Sequence, residues 1–542
     1  MADAITGSVT DQIDLGKHNE EILPLLDEDL EAQVVAEGGF TWHLDDWSQL
    51  TGDKYVSPRF KIGEFEWDIL LFPQGNQNRS LAVYLEPHAD ERLNTETGES
   101  ELVNPDWFCC AQFAIVLSRP DEDDKVHLIN TSHHRFNSVD TDWGFANFID
   151  LAYLKYPAKG RVSGILNKGR LNVTAYVRIV KDPTGVLWHN FINYDSKKVT
   201  GYVGFRNQGA TCYLNSLLQS YYFTKYFRRL VYQIPTEGEN PNDSVTLALQ
   251  RAFYQLQVSQ FPLDTMELTR SFGWDNAEAF TQHDVQELNR ILMDRLETRM
   301  KGTSVEGKIN ELFVGKMKSY IRCINVDYQS VRTEDFWDIQ LNVKNMRDLQ
   351  TSFENYIEVE LMDGENQYAA QGHGLQDAKK GVVFESFPPV LHLQLKRFEY
   401  DFNYDQLIKV NDRYEFPDSI DLAPYMDSEA LEQNPGPKIY KLHGVLVHTG
   451  DISTGHYYTL IKPSTKDEWY RFDDDRVWRA TKKQIFDDNF GFDRLPDEKI
   501  RTMTREQYQD YLIQRHTNAY MLVYIAEACN RSGCSRMCCH QG

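Results

Sequence analysis

One thiol in this chain sits where a thiol can act as a nucleophile. Cys212 lies in GFRNQGATCYLN, Gly204 to Asn215, where glycines punctuate a turn that leads into an apolar run with helical spacing. A cysteine in the first turn of a helix meets unpaired amide N–H groups and the positive end of the helix dipole, and both favour thiolate over thiol. The same amides can hold an oxyanion. The side-chain amide of Asn207, upstream across the turn, adds a second donor for charge developing on an attacked carbonyl. Most cysteines in a long reduced chain are small buried hydrophobes, so a base is required before this one is read as catalytic.

The base comes from VLVHTGDISTGHYYTLIKPSTKDEWYRFDDD, in which the apolar-rich runs His456 to Ile461 and Glu468 to Phe472 flank the turn-forming KPSTKD. This pattern predicts a β-hairpin. Pairing symmetric about the Ser464–Thr465 bond sets His456 directly opposite Asp473. Opposed residues on an antiparallel pair have Cβ atoms about 5 Å apart, within reach of an imidazole-to-carboxylate hydrogen bond that fixes the tautomer. Cys212, His456 and Asp473 then form a nucleophile, base and orienter from remote parts of the chain. Asp474 is a plausible substitute for Asp473, and Gly455 lets backbone pass close to a bound chain.

The elements that must position these groups follow from length and periodicity. A chain of 542 residues exceeds what one core supports and predicts two or three domains. Hydrophobic content of 41% and aromatic content of 13% argue for folded domains. The beginning of the chain has neither a basic segment nor an apolar one of leader type, and no stretch approaches about 18 uninterrupted apolar residues, so a soluble, unsecreted protein without a membrane role is expected. A formal net charge of −24 repels phosphate backbones and argues against direct nucleic-acid binding.

Residues 1–38 are acidic, with an apolar patch at Ile22, Leu23, Leu25 and Leu26, and read as a mobile tail. From Gly39 the period is two: Phe65, Trp67, Ile69 and Leu71, then Phe113, Ile115 and Leu117, then Leu171, Val173, Ala175, Val177 and Ile179. That is the pattern of a β-sandwich over 39–188. Cys109 and Cys110 lie in one such strand and read as packing residues. Residues 189–200 read as a linker and 201–527 as a second domain, helical first, with Leu249, Phe253 and Leu256 on one face and Val285, Leu288, Leu292 and Leu296 on another. The ending 528–542 carries Cys529, Cys534, Cys538, Cys539 and His540 at a spacing that fits no known finger, and reads as a frayed Cys-rich tail.

These residues resemble a known family. GFRNQGATCYLN and GHYYTLIK followed by WYRFDDD resemble the cysteine and histidine boxes of the ubiquitin-specific proteases. FTQHDVQELNRILMDRLE, PPVLHLQLKRFEYD and VNDRYEFP occur between them in the family's order. The resemblance implies an α+β multidomain protein: a MATH (TRAF-like) β-sandwich followed by a papain-like cysteine protease domain with Fingers, Palm and Thumb. It implies a deubiquitinase acting on ubiquitinated proteins in nucleus and cytoplasm, without a cofactor. A catalytically silent ubiquitin-binding adaptor and a Cys-dependent acyltransferase are the other readings.

TDWGFANF looks like the MATH groove motif, which implies that Asp142, Trp143 and Gly144 bind short peptide motifs of substrates. The alternative for Trp143 is that it fills the sandwich. Gln74 stands near where the family pattern has arginine, which puts an acidic first peptide position in doubt. For ubiquitin's arginine-bearing tail, Asp284 and Glu287 share a helical face, and Gln282, Tyr400 and Tyr457 match tail-contacting positions by motif. Gly450 to Gly455 and Asp401 to Lys409 resemble the loops that cover the tail, while His392 reads as the polar face of a strand. Many members bind a structural zinc in the Fingers through two Cys-x-x-Cys pairs. Here Cys323 is accompanied by Val326, Ala370 and His373, which cannot close a tetrahedral site, so no metal is expected. Some relatives continue into ubiquitin-like domains that favour the active arrangement, and the triad is expected to be misaligned in the free chain.

Overall fold

The computed structural model describes residues 22, 25–26, 32–75, 79–93, 100–120, 127–157, 164–273, 285–402, 405–452, 454–503 and 505–527. Gln282, Asp284 and the Cys-rich ending lie outside these residues. The chain divides into two compact units, Met1–Tyr194 and Asp195–Gly542.

The first unit is a β-sandwich. One sheet runs in the order Val34–Leu44, Leu171–Val180, Phe108–Ser118, His127–Asn137, and the other Trp143–Asp150, Ser80–His88, Phe65–Phe72, Tyr55–Val56. Alternation drives the packing: Trp67, Ile69 and Leu71 from one sheet and Phe113, Ile115, Val173 and Ala175 from the other are fully buried between the layers. Cys109 and Cys110 are buried and unbridged, as packing residues. Two boundaries differ from expectation. The sandwich starts at Val34, opposite Val180, because Val34 to Gly38 continue the ladder. Within the acidic beginning, Ile22 and Leu26 are 1% and 6% exposed against Ala114, Val116 and Tyr176. The outer face of that sheet is itself apolar there, and burying these two aliphatic side chains on it contributes about 1.5–3 kcal/mol each.

In the second unit, helices Cys212–Phe223, Lys225–Tyr232, Val245–Val258, Met266–Ser271, Val285–Met300 and Lys308–Phe313 come first. Leu249, Phe253 and Leu256, and Leu288, Leu292 and Leu296, are buried as their spacing predicts. An eight-stranded sheet follows, ordered Asp338–Asn342, Val390–Lys396, Thr517–Ala526, Ile439–Thr449, His456–Ile461, Trp469–Asp473, Arg476–Ala480, with Ser419–Asp421 beside Ile439–Thr449. Helix Cys212–Phe223, buried along its whole length, packs on strand His456–Ile461. A separate four-stranded sheet holds Gly315–Cys323, Gln329–Phe336, Glu360–Met362 and Ala378–Ser386. There Cys323 is buried with Ala370 and Ala378 in a small apolar cluster flanked by Val326, Tyr328 and Tyr368.

The stretch 189–200 is not a plain linker. Ser196–Thr200 is a helix capped by the Asp195 side chain on Lys198 N, and Ser196 Oγ accepts from Val477 N, tying it to the second unit's sheet. His392 is also corrected. It is 3% exposed, stacked 5.3 Å from Phe313, and burial pushes its imidazole down to about 4. Strand Val390–Lys396 is interior to its sheet and covered on both faces, so alternation of polar and apolar types did not mark a solvent face.

Candidate active site

The thiol is set by a turn that organises itself. Asn207 Oδ1 accepts from Gly209 N at 3.0 Å and Thr211 N at 3.3 Å, and Thr211 Oγ1 accepts from Gln208 N at 3.0 Å. Helix Cys212–Phe223 therefore begins with Cys212 as its first residue, and the N-cap Thr211 makes no side-chain cap. No side-chain cap from Thr211 therefore competes for the first turn beside the sulfur.

The predicted hairpin forms, but in another register: Thr459 is opposite Phe472, Leu460 opposite Arg471 and Ile461 opposite Tyr470. That is two residues from the symmetric pairing that would oppose His456 and Asp473. A slip of two keeps every side chain on its face, so the carboxylate is reached along the diagonal instead of straight across. His456 Nε2 lies 2.7 Å from Asp473 Oδ1, and the Cys212 side chain is near enough to act on the imidazole. With Nε2 on the carboxylate, the other ring nitrogen serves the sulfur. Tyr457 N donates to Cys212 Sγ at 3.4 Å. Helix Cys212–Phe223 and strand His456–Ile461 pack directly on each other and bring the three groups together.

Electrostatics follow this geometry. Burial works against the His456 cation, but hydrogen bonds to Asp473 and Cys212 outweigh it and raise the imidazole to about 10. Burial would raise Asp473 too, yet the His456 hydrogen bond and the Arg471 charge hold it below the usual carboxylate range. Arg471 Nε and Nη2 donate to Asp473 Oδ2 at 3.0 and 2.5 Å. Asp474 is pushed the other way, upward, chiefly by burial. Its nearer oxygen is 4.0 Å from His456 Nε2. Asp474 is a brace: Oδ2 accepts from Asn207 Nδ2 at 2.9 Å, Oδ1 from Asn215 Nδ2 at 2.8 Å, and its carbonyl from Phe205 N at 2.8 Å. One N–H of the Asn207 amide is committed there, leaving its second for another acceptor. His456, Asp473 and Asp474 also have the proximity of a metal cluster, but these hydrogen bonds occupy their oxygens.

Four participants escaped the sequence reading. Arg471 precedes Asp473 by two on one strand face, and Asn215 follows Cys212 by three on one helical face, so period alone was a signal for both. Lys409 gave no signal. Its ammonium donates to the carbonyls of His448, Gly450 and His516 at 3.2, 3.0 and 2.7 Å, joining three segments beside the triad. Burial and then the Arg397 charge pull it down to about 7. Lys409→Met leaves three carbonyls without their donor, at about 1–3 kcal/mol for a buried orphan. Faster amide exchange over 448–452, measured by hydrogen–deuterium mass spectrometry, and a lower melting temperature of the second unit are expected. His448 is the fourth, 1% exposed, with neither ring nitrogen hydrogen-bonded and its imidazole pushed down to about 3 by burial.

The other expected contacts divide. Glu287 is exposed in the first turn of Val285–Met300. Tyr400 is half exposed on strand Phe398–Asp401, its hydroxyl bonded to Asp405. Tyr457 is 2% exposed between the rings of His448 and Tyr520, so its side chain is part of the core. Gly455 is required by its own fold, because a Cβ there would lie 2.0 Å from His448 Nε2. In the first unit, Asp142 and Trp143 are exposed. Trp143 does not fill the sandwich: its ring stacks 4.2 Å from His134 and its Nε1 donates to Ser132 Oγ at 3.2 Å. Gly144 is needed for strand approach, since a Cβ would fall 2.2 Å from the Val83 carbonyl oxygen. Gly144→Ala is expected to destabilise the first unit by about 2–3 kcal/mol, read as a fall in its urea midpoint.

Comparison with known proteins places these features. The family model described as ubiquitin carboxyl-terminal hydrolase matches residues 203–524, and a MATH domain model matches residues 39–164. The chain is 71% identical over 528 residues to ubiquitin carboxyl-terminal hydrolase 15 of Saccharomyces cerevisiae, covering 96% of this chain and 43% of that protein. It is 50% identical over 511 residues to ubiquitin carboxyl-terminal hydrolase 15 of Schizosaccharomyces pombe, covering 92% and 44%. It is 42% identical over 512 residues to ubiquitin carboxyl-terminal hydrolase 7 of Drosophila melanogaster, covering 94% and 41%. The chain spans less than half the length of the curated relatives it matches.

Proposed function

The chain belongs to the ubiquitin carboxyl-terminal hydrolase family, and from that premise we propose that it is a thiol-dependent deubiquitinase. The observation that carries the reading is the His456–Asp473 hydrogen bond at 2.7 Å on the strand whose next amide, Tyr457 N, holds the Cys212 sulfur at 3.4 Å. The imidazolium faces sulfur that also receives the Tyr457 amide. Sulfur attacks the carbonyl of the C-terminal glycine of ubiquitin. The oxyanion meets first-turn amides of the Cys212 helix and the second N–H of Asn207, whose turn Asp474 braces. His456 gives its proton to the departing amine and the thioester forms. Acylation removes the sulfur's hold on the imidazole, which is one of the groups that raises it. The ring, neutral after giving up its proton, takes one from the attacking water, and expulsion of the sulfur restores the thiolate–imidazolium pair.

Ubiquitin's tail would reach the sulfur past Glu287 and Tyr400, with Gln282 and Asp284 as further tail contacts. Substrates would be recruited in part by the MATH domain, where Asp142 and Trp143 stand exposed at an edge strand and a short peptide can add to the sheet. Steady-state release of a fluorophore from a ubiquitin C-terminal amide tests the activity. Turnover that Cys212→Ala abolishes is expected. Ubiquitin binding without turnover would make the protein an adaptor, and faster transfer to added amine than to water would make it a transferase.

A further inference from the structure

Strands Phe65–Phe72 and Ser80–His88 of the first unit pair with Asp68 opposite Glu86 and Glu66 opposite His88. Alternation sends Trp67, Ile69 and Leu71 into the sandwich and places Asp68, Glu86 and His88 together on the other face of the sheet, with Tyr84 next in line. One ligand atom from each of Asp68, Glu86 and His88 lies within 4.8 Å of the others. Asp68 is the centre of the group. Its side chain is only 6% exposed, Oδ2 lies 2.7 Å from His88 Nε2, and Oδ1 is buried with no hydrogen-bond partner. Opposite it, burial and then the Asp68 charge hold the Glu86 carboxyl above its usual range, opposed in part by His88 and Lys54. An unpartnered carboxylate oxygen, a second carboxylate opposite it and an imidazole nitrogen thus lie within reach of a single cation.

We propose that Asp68, Glu86 and His88 form a binding site for one divalent transition-metal ion of the zinc class. An imidazole nitrogen with two carboxylates suits zinc better than magnesium or calcium, which take six or more oxygens. The cation replaces the proton shared between His88 Nε2 and Asp68 Oδ2, and that proton is released to solvent. Three protein ligands leave a fourth position open on the face that carries Tyr84. The site is remote in the chain from the triad, and the proposal is independent of the hydrolase reading.

The test is titration of the metal-stripped full chain with Co2+ followed by displacement with Zn2+. One equivalent of Co2+ is expected to bind without a sulfur-to-cobalt charge-transfer band and to be displaced by Zn2+. His456→Ala, which removes the other three-ligand cluster, retains it, and Asp68→Asn and His88→Asn weaken it at least about 100-fold. Far-ultraviolet circular dichroism and melting report whether those variants fold, and Glu86→Gln, at a half-buried position, gives the same reading if Asp68→Asn does not fold. Uptake only with a thiolate band, or equal binding by wild type, His88→Asn and Glu86→Gln, overturns the assignment and leaves an ordinary histidine–aspartate pair.

Discussion

Replacing His456 with alanine is expected to lower kcat/KM for a ubiquitin C-terminal amide by about 10⁴-fold, about 5.5 kcal/mol of transition-state stabilisation. The ring is the proton carrier for both half-reactions, and the structure offers no substitute: the neighbouring imidazole, His448, is buried and held neutral. The His456 side chain is about one-third exposed, so its loss opens no core cavity, and circular dichroism should report a folded protein. Ubiquitin affinity, read by calorimetry, should also stay within a few-fold. A drop of less than about tenfold in kcat/KM would mean that another group carries the proton.

Asp473→Asn is the second large effect, about 10²- to 10⁴-fold in kcat, because the amide has no charge to support the imidazolium and, with its single oxygen claimed by Arg471, turns its NH2 toward the ring. The sign of the pH effect follows from the raised imidazole. In the wild type the cation persists until the pH passes about 10, so the alkaline limb of the kcat/KM profile is expected there. Without the carboxylate, the limb moves down toward the ordinary imidazole value of 6.5. The Arg471 charge that Asp473 now accepts is left beside the ring and pushes in the same direction. Asp474→Asn is a contrast: it keeps an oxygen for Asn207 or Asn215, lies farther from His456, and should leave the limb near its wild-type position. A limb shifted equally by both substitutions would contradict the division of labour between the two acids.

How much of this was legible depends on how local the signal was. The nucleophile's turn, the hairpin and the alternation of the sandwich are short-range patterns, and the chain obeys them. The hairpin register was read from symmetry of the turn and came out two residues away, yet His456 and Asp473 still meet, because a pleated strand repeats every two residues. Where tertiary packing decides, composition misled. His392 looks like a surface group by type, and Tyr457 matches a tail-contacting position by motif, but both rings face neighbours that cover them. Ile22 and Leu26, in an acidic stretch, find an apolar outer sheet face that the alternating pattern of the strand did not announce. Lys409 was invisible because its partners are backbone carbonyls from two separate segments, which leave no mark on sequence.

The central claim is that the Cys212 sulfur is the atom that ubiquitin's C-terminus acylates. Its most direct test is intact-mass and peptide-mapping mass spectrometry after mixing the chain with ubiquitin that carries a C-terminal electrophile. The account predicts one adduct per chain, located on Cys212, lost in Cys212→Ala and slowed in His456→Ala. An adduct on any other cysteine, or one that survives Cys212→Ala, would contradict it.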